Sequence, residues 1–103
     1  MAGKKYDGVI EAVRYAPDGR ISTVRVYERH GAVFTDRLLL GREALIDRLK
    51  SGKVFVAGQR KPYLASTFDV FGRVRLLQKD GQEIVASENE TTDHDHLKDV
   101  PLF

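Results

Sequence analysis

Asp93-His94-Asp95-His96 is the stretch whose residue types come nearest to chemistry. Imidazole nitrogens and carboxylate oxygens at alternating positions are the donors a divalent cation takes. No second cluster completes such a shell, and a site in a polar stretch must order itself on binding. The four residues therefore read as polar chain, and neither metal nor cofactor is expected. The serines, Ser22, Ser51, Ser66 and Ser87, have no histidine placed to activate them. Gly52-Lys53 is followed by Val54, so it lacks the Ser/Thr that ends a phosphate loop. Glu43 and Asp47 fall one turn apart as a solvated like-charged pair. His30, beside Gly31, reads as an exposed turn residue. No catalytic residue is assigned, and a non-enzyme is expected.

Binding chemistry is better represented. Residues 53–75 hold Lys53, Arg60, Lys61, Arg73 and Arg75 against the single acid Asp69, together with Phe55, Tyr63, Phe68 and Phe71. A second basic and aromatic run, Arg25, Tyr27 and Arg29, alternates with Val24 and Val26. Cations neutralise phosphates and release their counterions, while rings give bases a surface to stack on. Arg25, Tyr27, Arg29, Arg60, Lys61, Tyr63, Phe71, Arg73 and Arg75 are accordingly the candidate contacts to single-stranded DNA or RNA. The competing interpretation is a solvated or protein-contacting sheet face, with Tyr27, Tyr63 and Phe71 as anchors.

The elements that must position these residues are short and β-rich. Tyr6–Tyr15 is strand-like, with Val9, Val13 and Tyr15 on one face and Ile10 and Ala12 on the other. Ala16-Pro17-Asp18-Gly19-Arg20 has the residues of a tight turn. Ile21–Arg29 follows as a strand with Val24 and Val26 inward and Arg25, Tyr27 and Arg29 outward. His30-Gly31 turns the chain into a third strand from Ala32 to Thr35, and Leu38-Leu39-Leu40 is taken as that strand's end. Gly41–Ser51 is the one helix, with Leu45, Ile46 and Leu49 as its apolar stripe and Gly52 as its C′ residue. Strands from Val54 to Ala57 and Val70 to Leu76 come next. Val70, Val74 and Leu76 are expected inside, Phe71, Arg73 and Arg75 outside, and Gly72 marks a bulge or bend. Lys79-Asp80-Gly81 turns into a last strand, Gln82–Ala86.

This order predicts a mainly β domain with one helix over residues 1–86, a small antiparallel barrel of five or six strands. The order fits an OB-like barrel, with an SH3- or Sm-like barrel as the alternative and a helix on one open antiparallel sheet as a third. With 103 residues there is room for one core. There is no cysteine, no long apolar run and no apolar segment following MAGKKYDG, which together suggest a cytoplasmic protein.

Charge is unevenly distributed. Residues 1–86 carry 16 Lys/Arg and 10 Asp/Glu, a net of +6, whereas residues 87–103 carry one Lys and five acids, a net of −4. From Ser87 on the apolar periodicity stops, which predicts a disordered acidic tail with an apolar tip, Val100-Pro101-Leu102-Phe103. That tip loosely resembles those of bacterial single-stranded DNA-binding proteins, which are acidic and end in a short apolar piece with Pro and Phe. The likeness covers the last five to eleven residues, and Lys98 and Leu102 depart from it. It implies that Val100, Pro101, Leu102 and Phe103 contact a protein partner and that the tip competes with DNA for the basic body. Independently, a segment of −4 tethered to a body of +6 can occupy its own basic face.

Overall fold

A computed structural model of the chain describes residues 6–31, 33–35, 37–60, 68–88 and 94–103. Strands β1 (Gly8–Tyr15), β2 (Ile21–His30), β3 (Val33–Phe34) and β4 (Leu38–Gly41) precede helix α1 (Arg42–Lys50). Strands β5 (Phe55–Arg60), β6 (Phe68–Lys79) and β7 (Gln82–Ser87) follow it. The protein is mainly β with one helix, as expected. The strands form one curled sheet in the order β3-β2-β1-β5-β6-β7, with β4 also on β2. The sheet is not a closed barrel, because β3 and β4 lie at one end and β7 at the other. β1 and β5 run parallel, joined through β2, β4 and α1, while every other strand pair is antiparallel.

The turns follow their residues. Asp80 and Gly81 both have positive φ, 52° and 79°, the geometry of the two-residue hairpin that joins β6 to β7. Gly52, at φ 94°, ends α1 in a Schellman arrangement: its N–H donates to Leu49 O (3.2 Å) and the Lys53 N–H to Arg48 O (3.0 Å). Leu38–Gly41 is a separate strand on β2 rather than the end of β3.

One face of the sheet is the main core. Ile10, Val13, Val24, Val26, Phe55, Ala57, Val74 and Val85 meet Leu45 and Ile46 of the helix there, together with Leu97 and Val100. The opposite, outer face has a smaller cluster of Val9, Tyr27, Val56 and Phe68, with Tyr6 and Phe34 packed against it.

Two strands depart from plain alternation. A register shift between Ile10 and Ala12 makes Glu11 an extra residue in β1. It puts Ile10 and Val13 on the same inner face, where strict alternation had separated them. In β6 the shift falls at Phe71, between Gly72 opposite Ala57 and Val70 opposite Gly58. Val70 is therefore exposed instead of pointing inward with Val74.

Residues 94–103 correct the expectation of a disordered tail. Leu97 and Val100 are core residues, and Asp95 is only 3% exposed. The backbone is tied in at both ends of the segment. His96 N–H donates to Val85 O (3.0 Å), Ser87 N–H to His96 O (3.2 Å) and Val13 N–H to Pro101 O (2.9 Å). Polar letters hide this packing because only two of these ten side chains, three residues apart, carry the apolar contact. Residues 89–93, including Asp93, lie outside the described part.

Candidate functional site

The outer face is the surface on which most of the candidate residues meet. Arg25, Tyr27 and Arg29 alternate along β2 on the side opposite Val24 and Val26. Register then sets Tyr27 beside Val9, Val9 beside Val56, and Val56 beside Arg73, a single row across four strands. Arg60 lies opposite Phe68 on the same face. Arg75, two residues beyond Arg73, shares it. Lys61 and Tyr63 lie outside the described residues.

Tyr27 is on the expected face but does not point into solvent. It is 2% exposed, with its ring centroid 5.2 Å from that of Phe68. Phe68 in turn lies 5.0 Å from Phe34 and 6.5 Å from Tyr6, in edge-to-face arrangements. The aromatic groups thus form a floor. Guanidinium groups cover it: Arg29 lies 4.8 Å over the Phe34 ring and Arg60 lies 5.6 Å over Tyr27. Arg29 Nε also donates to Tyr6 O at 2.9 Å, which fixes its plane.

A second group of charges stands at the β1 bulge. Glu11 is largely buried and faces Arg37 Nε at 2.9 Å and Arg25 Nη1 at 3.6 Å. The Arg37 Nε–H is directed at the Tyr27 hydroxyl (3.0 Å), so Glu11 Oε2 receives charge contact without a hydrogen bond. The Tyr27 hydroxyl first and then Glu11 hold the Arg37 guanidinium more firmly charged than usual. Arg25 is therefore partly neutralised. It also stacks 4.6 Å over the Phe103 ring. By contrast, among the described residues no ion pair joins Arg60, Arg73 or Arg75 to a carboxylate, and all three are exposed.

Phe71 does not join this face. As the bulge residue it lines a cleft with Ala57, Gly72, Ser87, Glu88, Lys98 and Asp99, and is 45% exposed there. The apolar tip is also divided. Val100 is buried in the core, Pro101 gives its carbonyl to Val13, and Phe103 lies under Arg14 and Arg25. Only Leu102, at 72%, stands in solvent.

The Asp-His alternation is used structurally. The Asp95 carboxylate accepts hydrogen bonds from Ile21 N–H (2.8 Å), Val85 N–H (3.0 Å) and Arg42 Nε (2.7 Å). His94 and His96 have ring centroids 6.3 Å apart, and no group of three metal-ligating side chains occurs among the described residues. Burial works against the Asp95 charge, but Arg42 and the two N–H groups outweigh it and hold the carboxyl below its ordinary range.

Several contributors escaped the sequence. Arg14 and Arg37 enter the face, and Tyr6, Phe34 and Phe68 build its floor. Arg14 became visible only once the Glu11 bulge reset the alternation of β1. Phe34 had a signal, an aromatic residue in a short strand next to a basic one, but no partner to assign it to.

No helix among the described residues is long and apolar enough to cross a membrane. Comparison of the chain with protein-family models, curated proteins and solved structures finds no match.

Proposed function

We propose that the protein is a non-catalytic binding module that holds single-stranded nucleic acid across its outer sheet face. The observation that carries this is the line of exposed arginines Arg60, Arg73 and Arg75 on β5 and β6, beside an aromatic floor covered by guanidinium groups. Arg60 and the Val56 position opposite Arg73 are four residues apart, about 13 Å at the usual rise of a strand, and Arg75 is about 7 Å further. A chain of phosphates can follow such a line, and the flat guanidinium groups of Arg29 and Arg60 offer planes for unpaired bases. Arg25 and Tyr27 contribute less directly, the first because Glu11 and Phe103 engage it and the second because it is buried. The proposal includes a cytoplasmic location and a scaffold of the OB-like or SH3/Sm-like kind, left open on one side.

A labelled oligothymidylate titrated by fluorescence anisotropy tests it. Binding is expected at low salt. With about three phosphates neutralised, log K falls against log salt with a slope of about −2. No binding at protein concentrations of ~tens of micromolar at low salt contradicts the proposal.

A protein–protein adaptor is the second reading, and the exposed side chains of Leu39 (63%) and Leu102 favour it. Light scattering of the chain against a Leu39→Ser, Leu102→Ser variant tests it: assembly that disappears in the variant supports the adaptor, and a monomer in both cases removes it.

A further inference from the structure

Arg14 and Arg25 make one site from two strands. The Glu11 bulge brings Ala12 and Arg14 to the outer face, and register sets Ala12 opposite Arg25 and Arg14 opposite Thr23. The two arginines are thus diagonal neighbours across β1 and β2, close enough for long side chains to share a partner. What they share is a flat ring: each guanidinium carbon lies 4.6 Å from the centroid of Phe103. Arg14 Nε also donates to Phe103 O at 3.1 Å, so the slot takes a ring and an oxygen together.

We propose that this pair of guanidinium groups is a stacking subsite for an unpaired nucleobase, which Phe103 fills in the free protein and leaves when nucleic acid binds. The inference rests on the proposed nucleic-acid function and adds Arg14 to its contacts. A base presents the same flat π face as Phe103, and the adjoining phosphate offers Arg14 an oxygen. Phe103 can leave without disturbing the core. Val100 remains anchored inside, Leu102 is already in solvent, and beyond Val100 the backbone is held by the two hydrogen bonds around Val13 and the one from Arg14. The slot is on the same face as Arg29, Arg60, Arg73 and Arg75, so one strand of nucleic acid can reach both.

The experiment compares the wild-type chain, Phe103→Ala, and Phe103→Ala combined with Arg14→Ala. Each is titrated with labelled oligothymidylate and with an abasic oligomer of equal length. Removing an exposed ring from its cations is expected to tighten oligothymidylate binding about two- to five-fold. The abasic oligomer shows no such gain, and the gain disappears when Arg14 is also removed. In the unmodified chain, the Phe103 ring resonances move to those of a solvated ring as oligothymidylate saturates the protein. Unchanged or weaker binding by Phe103→Ala while the wild type binds, or ring resonances that stay put at saturation, overturns the subsite and leaves the wider function standing. A wild-type chain that binds neither oligomer overturns the function itself, and the subsite with it.

Discussion

Arg42 and Asp95 form a hydrogen-bonded ion pair, Nε to Oδ2 at 2.7 Å, that joins the start of the helix to the closing segment of the chain. The same carboxylate receives the N–H groups of Ile21 on β2 and Val85 on β7. These strands are far apart in the order of the sheet. One side chain therefore spans the opening that an unclosed sheet leaves. Arg42 Nη2 extends the link by donating to Glu83 O at 2.6 Å.

Removing one partner of a buried pair leaves an uncompensated charge. Asp95→Ala is expected to destabilise the protein by about 3 kcal/mol, because Arg42 and two backbone N–H groups lose their acceptor together. Thermal unfolding followed by circular dichroism measures this. The Arg42→Ala, Asp95→Ala double variant should be more stable than the sum of the two single losses implies, since both remove the same contact.

The depressed Asp95 carboxyl also sets a direction with pH. Because its folded value lies below that of the unfolded chain, ionised Asp95 stabilises the fold fully above the ordinary carboxylate value of about 3.9. That contribution declines as the pH falls below this value towards the folded one. Urea unfolding across pH 6 to 3 should show stability falling at the acid end. Asp95→Asn should be less stable at neutral pH and lose less on acidification.

Gly58 is a close approach rather than a turn. A Cβ there would overlap the backbone carbonyl oxygen of Asp69 on β6, which cannot swing aside as a side chain can. Gly58→Ala is expected to cost about 1–3 kcal/mol, as overpacking does. Chemical denaturation of the variant gives the number.

Glu11 opposes the proposed function from within the face. Glu11→Gln removes a largely buried charge and frees Arg25 and Arg37 from it. Oligothymidylate should bind the variant about two- to five-fold more tightly at low salt, and the difference should shrink as salt is added. Paired anisotropy titrations check both parts.

Much of the scaffold was legible because local chemistry and tertiary structure agreed. Asp80-Gly81 specified a hairpin, Gly52 a helix end, and the alternation of Val24 and Val26 with Arg25 and Arg29 the two faces of β2. What failed were places where one residue changes the phase of a strand. Glu11 and Phe71 are each an extra residue opposite a single partner, and no local pattern announces that. The parallel pairing of β1 with β5 depends on contacts far apart in sequence, so an open sheet and a closed barrel looked alike. Tyr27 was placed on the correct face, but its burial requires Phe68, Phe34 and Tyr6 to arrive from three other segments. In the closing segment, Asp95 read as solvated because its partners, Ile21, Arg42 and Val85, are remote in the chain.

The arginine line is the claim on which the functional account depends. The most direct test is oligothymidylate binding by a variant carrying Arg60→Ala, Arg73→Ala and Arg75→Ala. These side chains are exposed and make no ion pairs among the described residues, so the melting temperature should barely change. The account predicts a loss of affinity of at least about ten-fold at low salt, with the salt slope falling from about −2 towards zero. A triple variant that binds as tightly as the wild type, with the same salt slope, contradicts it.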